Sequence, residues 1–247
     1  MVIGVLTLQG GFAEHIAILE SLGVEHRRVR VPNDLLGIDG LIIPGGESTV
    51  MDKLARAFGL AEPLRAAINN GLPVFATCAG LIYLGTVENP AKGQQTLGCL
   101  DVVVRRNAFG RQVDSFDAVV EVEGIYASVA FIRAPEVISC GAEVTVTARV
   151  GDHAVGVRQD KIHAYAFHPE SAGEVRLHQA CSTASSCCAV LCDCSCVATR
   201  RAGSVRARLR RRWPTSTIAI PLWTLRRPFL LRGPWALGVH APVDGGC

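Results

Sequence analysis

The sequence predicts an α/β domain with a mostly parallel sheet over residues 1–180, followed by a segment of a different character. Strand-like and helix-like stretches alternate ahead of residue 97, the pattern of strand–helix–strand units whose sheet is covered on both faces. The run Pro73-Val74-Phe75-Ala76 is apolar at every position, as a strand buried on both faces is. Beyond residue 180 neither a two-residue nor a 3.6-residue period persists.

Each element has its own signal. Val2 to Leu8 reads as a first strand, and Phe12 to Leu22 has helical spacing with Gly23 as its stop. His26 to Val31 is a second strand, and Gly40-Leu41-Ile42-Ile43 is a third, closed by Pro44-Gly45-Gly46. A helix capped near Ser48 follows, then another from about Glu62 to Asn70, then the strand that runs into Cys78. Between 97 and 167 the pattern changes to short Val-rich strands at Asp101 to Val104, Ala118 to Val122, Val144 to Val150 and His153 to Val157. These predict an antiparallel excursion before the chain returns to the sheet at Ile162. The sum is a flavodoxin-like arrangement, with ligands expected at the C-terminal ends of its strands.

Composition bounds the rest. Of 247 residues 49% are apolar, enough to bury a sizeable core in one or at most two domains. No run of 18 apolar residues argues for a membrane span, and Val2-Ile3-Gly4-Val5-Leu6 opens a strand where a secretory signal would carry a basic stretch. A cytoplasmic location is the expectation. The net charge of +3 conceals two unlike segments: residues 1–180 hold 15 Lys and Arg against 20 Asp and Glu, whereas residues 181–247 hold 10 Arg, no Lys and 2 Asp.

Cys78 carries the chemistry. The strand delivers Thr77-Cys78-Ala79-Gly80, and Leu81-Ile82-Tyr83-Leu84 continues as a helix. A nucleophile on a tight strand-to-helix turn needs small neighbours, and Ala79 and Gly80 supply them. A second strand-like run, Ile162 to Phe167, ends in His168-Pro169-Glu170. Alternate residues of a strand lie roughly 6.5 Å apart on one face, so His168 and Glu170 can point the same way. A Cys, a His and a Glu at strand ends supply a thiolate nucleophile, its base and the group that orients the base. Gly45-Gly46-Glu47-Ser48 also follows a strand and precedes a helix, which turns free backbone N–H groups toward a ligand. A phosphate cradle is disfavoured there because no Gly-Lys-Ser/Thr follows. Cys99 and Cys140 lack such a setting and are read as structural, and His15, His163 and His178 have no nucleophile beside them in sequence.

A family resemblance rests on a longer series of segments. In order they are Leu8-Gln9-Gly10-Gly11 with Glu14-His15, Pro44-Gly45-Gly46-Glu47-Ser48-Thr49, Thr77-Cys78-Ala79-Gly80-Leu81, and Arg106-Asn107 with Phe109-Gly110-Arg111-Gln112-Val113-Asp114-Ser115-Phe116. Phe131-Ile132-Arg133-Ala134-Pro135 and Phe167-His168-Pro169-Glu170 complete the series. Residues 1 to about 180 thereby resemble the glutaminase subunits of pyridoxal 5'-phosphate synthase, a family of class I glutamine amidotransferases. The Cys and His-Pro-Glu elements are common to many class I glutaminases, while the segment from Arg106 to Phe116 and Phe131 to Pro135 are far more specific.

The resemblance implies hydrolysis of L-glutamine to L-glutamate and ammonia through a Cys78 thioester, with no cofactor and no metal. It implies delivery of the ammonia to a synthase subunit in a hetero-oligomer, with activity switched on by docking, and no role for nucleic acid or membrane. The segment Gln9-Gly10-Gly11 and the turn at Gly46-Glu47 are where that coupling is expected. It also implies that Gly46 and Ala79 donate the oxyanion-hole N–H groups, that Gly46, Glu47 and Ser48 hold glutamine, and that Arg106, Ile132 and Arg133 complete the contacts. An Arg suits the substrate α-carboxylate because its planar fork meets both oxygens. Arg105 stands beside Arg106, and Asn107 sets which of the two matches the family position. Two alternatives remain: a class I glutaminase serving another pathway, and a docking subunit that has lost catalysis through its altered C-terminus.

Residues 181–247 fall outside the resemblance. They hold seven of the ten Cys and an Arg run from Arg206 to Arg212. Cys192, Cys194 and Cys196 alternate without the paired knuckles of a zinc site, and the Arg run is a weak nucleic-acid signal by itself. With no apolar period, the segment has no face whose burial would offset an ordering cost of about 1–2 kcal/mol per residue. It is expected to lack a stable core and to derive from a reading-frame shift near codon 181. Reading the gene in its other two frames tests this, as does limited proteolysis, which should leave a fragment ending near residue 180.

Overall fold

The computed structural model describes residues 1–108 and 115–180. The tail 181–247 and residues 109–114 of the family-specific segment lie outside the described residues.

The first half of the chain follows the predicted alternation. Strand β1 (Val2–Leu6) leads to helix α1 (Phe12–Ser21), whose His15, Ile16, Ile18 and Leu19 form the buried face. Strand β2 (Glu25–Val29) and a 3₁₀ turn at Pro32–Leu35 precede β3 (Gly40–Ile43). Helices α2 (Ser48–Ala57) and α3 (Ala61–Asn69) then lead to β4 (Val74–Thr77), and α4 (Ala79–Leu84) follows after one residue. Every residue of β3 and β4 is buried, which is why both read as unbroken apolar runs. Ser48 is the first residue of α2 rather than its cap. Glu47 takes the cap position, its carboxylate accepting from the Thr49 N–H at 3.5 Å.

Strands β5 (Thr86–Val87), β6 (Val102–Arg105), β7 (Phe116–Val122), β8 (Ile125–Phe131), β9 (Glu136–Cys140), β10 (Thr145–Val150) and β11 (His153–Gln159) make the excursion, and β12 (Ile162–Tyr165) returns to the centre. The principal sheet runs β2-β1-β3-β4-β12-β11-β9-β6-β5, with β10 beside β11, while β7 and β8 form a separate antiparallel hairpin. From β2 to β12 all pairings are parallel, and from β12 to β6 they are antiparallel. The chain goes outward from β1 to β2 and then back to β3, so a crevice opens beyond the C-terminal ends of β1 and β3.

Two expectations are corrected. The strand anticipated through Phe167 ends at Tyr165, and Glu170 begins a 3₁₀ turn (Glu170–Ala172). His168 is held by the hairpin instead: its N–H donates to the Ala130 carbonyl at 2.8 Å, and the Ala130 N–H donates back at 3.2 Å. Strands β8 and β9 are further members of the expected excursion. Residues 176–180 are helical and carry Leu177 and His178 into the core. Among the described residues no helix is long and apolar enough to cross a membrane.

Candidate active site

Cys78 occupies the single-residue joint between β4 and α4 with φ 47° and ψ −100°. A left-handed φ on a residue with a Cβ costs on the order of 1–3 kcal/mol and persists only where the surroundings enforce it. Here the Cys78 N–H donates to the Tyr165 carbonyl at 2.7 Å, locking the turn to β12. Gly80 lies so close to β3 that a Cβ would overlap the Ile43 carbonyl oxygen. The small residues after Cys78 therefore let α4 start hard against the sheet and turn the thiol outward, where Sγ lies 3.9 Å from the Ile132 carbonyl.

His168 lines the cavity beside Cys78 and, through Nδ1, is hydrogen-bonded to Glu170 Oε1 at 2.7 Å. The pairing expected from strand alternation is real but is made by a turn, with Pro169 bending the chain so that Glu170 lies behind the imidazole. Burial disfavours a charged His168, but the Cys78 and Glu170 contacts outweigh it and carry its pKa up to about 10. Burial likewise opposes ionisation of Glu170, yet hydrogen bonds from His15 and His168 hold it far below the ordinary carboxylate range. Gly45 backs the His168 ring, and a Cβ there would overlap Cε1.

A cavity of about 300 Å³ opens over Cys78 and His168. Gly46, Glu47 and Ser48 form one wall, and Arg106, Ile132 and Arg133 line the same space. The Glu47 carboxylate accepts from Arg106 Nη2 at 3.1 Å, and Arg133 Nη2 is 3.8 Å from its other oxygen. Two guanidinium groups thus face one carboxylate across the mouth. Arg105 turns away and pairs with Glu88 at 2.9 and 3.2 Å, so Arg106 is the pocket residue of the two. Asn107 and Arg133 both adopt positive φ, 53° and 48°, placing strained backbone at this rim. Behind the wall, Gln9 Oε1 accepts from the Glu47 N–H at 3.0 Å. Gly46 has φ 147° and packs so tightly on Gln9 that a Cβ would overlap its amide oxygen. Ala79 opens α4, where the first backbone N–H groups have no partner within the helix.

The predicted residues therefore converge: Cys78, His168, Glu170, Gly46, Glu47, Ser48, Arg106, Ile132 and Arg133 line one cavity, with Ala79 next to the thiol. Sequence reasoning assigned no role to three residues that the fold brings to the same site. His15 and Thr77 contact Glu170 from behind, and His178 contacts His15. The signals available were the adjacency of Thr77 to Cys78 and the helical register that puts His15 on the buried face of α1. Among the described residues no cluster of three or more His, Cys, Asp or Glu side chains is arranged to hold a metal ion.

Comparison with known proteins points to the same chemistry. The model of the SNO glutamine amidotransferase family matches residues 5–183. The chain is 96% identical over 180 residues to pyridoxal 5'-phosphate synthase subunit PdxT of Corynebacterium diphtheriae, which spans 73% of this chain and 97% of that protein. It is 58% identical over 189 residues to the PdxT subunit of Corynebacterium glutamicum strain R, covering 73% and 94% respectively. Among solved structures, a glutamine amidotransferase superposes with a TM-score of 0.71 at 45% identity, over 75% of this chain and all of that one. With a cysteine on a strained strand-to-helix joint, a histidine–glutamate pair behind it and a match of this length, the chain belongs to the SNO glutamine amidotransferase family.

Proposed function

We propose that this chain is the glutaminase subunit of a pyridoxal 5'-phosphate synthase, hydrolysing L-glutamine to L-glutamate and ammonia and supplying the ammonia to a synthase subunit. The observation that carries this reading is the Cys78–His168–Glu170 arrangement at the floor of a cavity rimmed by two guanidinium groups and a carboxylate.

Glutamine enters as a zwitterion. Arg106 and Arg133 take its α-carboxylate, Glu47 takes its α-ammonium, and the substrate exchanges partners with the ion pairs that the three side chains make among themselves. The side-chain amide then lies over Cys78. The thiolate attacks the amide carbon, and the oxyanion that forms is met by the Gly46 and Ala79 N–H groups; losing one such donor typically costs about 3–4 kcal/mol. Protonated His168 gives its proton to the departing nitrogen, ammonia leaves, and a thioester to Cys78 remains. His168, now neutral, takes a proton from water as the water attacks the thioester. Glutamate is released, and the thiolate–imidazolium pair is restored. Glu170 holds His168 in the tautomer with Nδ1–H and offsets its charge throughout.

The Gln9–Glu47 contact ties the substrate wall to the loop after β1, which supports docking at the Gln9-Gly10-Gly11 region as the route by which a partner adjusts that wall. The test is ammonia release from glutamine by the full chain, with and without the synthase subunit. Glutamine-dependent ammonia release that rises on adding the synthase is expected. No release even with a synthase subunit that is competent with free ammonia would contradict the reading.

A further inference from the structure

Behind the site, α1 and the helical residues 176–180 contribute two histidines that the reaction above does not use. His15 is fully buried and His178 is 3% exposed. His15 Nε2 lies 3.3 Å from Thr77 Oγ1 and 3.5 Å from Glu170 Oε1, and its Nδ1 lies 2.9 Å from His178 Nε2. Thr77 Oγ1 donates to the same Glu170 oxygen at 3.3 Å, the oxygen that His168 approaches at 2.7 Å. The rings sit in an aromatic cluster, with His178 stacked obliquely on Phe75 at 4.6 Å and His15 edge-on to it at 6.1 Å. The other ionisable groups facing this cluster are Glu174, near His178, and Glu14, whose carboxylate flanks Gly11 beside Glu170.

The protons in this chain can be placed. An ionised Glu170 only accepts, so the Thr77 O–H and the His168 Nδ1–H both point at it. Facing the acceptor Glu170, His15 Nε2 carries a ring proton directed at Thr77 Oγ1 and Glu170, and its Nδ1 accepts from His178. His178 supplies that donor from Nε2–H: burial in the aromatic cluster is the main cause that lowers its pKa to about 4 and keeps the ring neutral. His178 Nδ1, on the side of the Glu174 backbone, then makes no hydrogen bond of normal geometry. Every donor in the row is thus directed toward Glu170, and each fixes the tautomer of the next.

The geometry points to His15 as a positioning residue for the glutaminase reaction, its donor orientation set by His178 and relayed with Thr77 onto Glu170. The inference rests on the reading of Glu170 as the group that orients His168. Without the His15 donor, Glu170 keeps only part of its hydrogen-bond shell, and its pull on His168 Nδ1 is no longer fixed in direction. Substrate contacts at Glu47, Arg106 and Arg133 are untouched, so the loss falls on turnover.

The test compares His15→Leu with His15→Gln in the full chain with the synthase subunit present, after thermal unfolding has confirmed that each is folded. A Gln amide places an N–H near the position of Nε2, whereas Leu fills the space without a donor. For His15→Leu, kcat is expected to fall about ten- to hundredfold, the worth of a hydrogen bond to a charged group, with KM within about twofold of wild type. The pH profile of Cys78 alkylation should move with it, and His15→Gln should recover most of both. If His15→Leu does not fold, Thr77→Val cuts the same relay on β4 and Thr77→Ser restores it. Wild-type kcat and alkylation profile in a folded His15→Leu or Thr77→Val variant overturns the inference, as does a Gln variant impaired as deeply as Leu, which would mean that the ring only packs. A wild-type chain that releases no ammonia, measured alongside, would instead count against the glutaminase reading; the alkylation profile still reports on His15.

Discussion

At Cys78 a left-handed backbone turn, a donor–acceptor lock to Tyr165 and a histidine paired with a buried carboxylate meet in one residue. The strain is local, and the turn places the thiol at the cavity. Cys78→Ala is expected to abolish glutamine hydrolysis with little change in melting temperature, because a small side chain suits the joint; residual turnover above a few per cent would be the contrary finding. His168→Asn should be nearly as severe, and Glu170→Gln milder, because an amide at 170 still accepts from the imidazole while losing the charge that stabilises imidazolium. At the rim, Arg106→Lys keeps a charge but loses the planar fork facing Glu47. It is expected to raise KM about tenfold with kcat nearly unchanged, as removal of uniform binding does. Steady-state kinetics with the synthase subunit present distinguishes the two patterns.

Elements matter here through the closeness with which they approach one another. The loops after β1 and β3 are packed so tightly that a Cβ on Gly10 would overlap the Gly45 carbonyl, and α4 meets β3 at Gly80 with backbone on the other side. Gly80→Ala is therefore expected to cost about 1–3 kcal/mol of stability, since β3 cannot shift without disturbing its pairing to β1 and β4. Denaturant unfolding measures it, and an unchanged midpoint would mean that the joint is looser than described. Much of this arrangement was legible from residues alone. Buried strands such as β3 and β4 advertise themselves as apolar runs, and Ala79-Gly80 after Cys78 signals a close-packed elbow. What was not legible depends on tertiary partners. Strand β9 carries only the short Val137-Ile138 pair before Ser139-Cys140, too brief a signal by itself, and is fixed by pairing with β6. Glu170 reaches His168 through a 3₁₀ turn that alternation cannot foresee. His15 looks like an ordinary helix residue until the chain returns, 163 residues later, to put His178 against it.

Across the whole molecule, the ionisable groups buried behind the site make stability depend on pH in both directions. An unfolded His178 takes up a proton below about pH 6.5, whereas the folded one resists until about 4, so stability falls as pH drops through that window, by at most roughly 3 kcal/mol. Glu170 extends the acid loss to lower pH, because its folded form stays ionised below the value of a free carboxylate. His168 acts oppositely: folded, it keeps its proton up to about 10, so its contribution is complete below pH 6.5 and disappears as pH rises toward 10. Unfolding midpoints at pH 4.5, 7 and 9.5 should therefore peak at the middle value, and His178→Phe, which keeps a ring on Phe75, should flatten the acid side alone. The same molecule carries two further cysteines among its described residues, Cys99 and Cys140, and burial pushes both thiols above the ordinary range. This contrast underlies the most direct test of the whole account, mass-spectrometric mapping after treatment with a glutamine-mimicking electrophile. One adduct per chain, on Cys78, suppressed by excess glutamine and absent from Cys78→Ala, is the result expected. Labelling of other cysteines while Cys78 stays unmodified, or labelling that glutamine does not suppress, would contradict the claim that Cys78 is the nucleophile of a glutaminase.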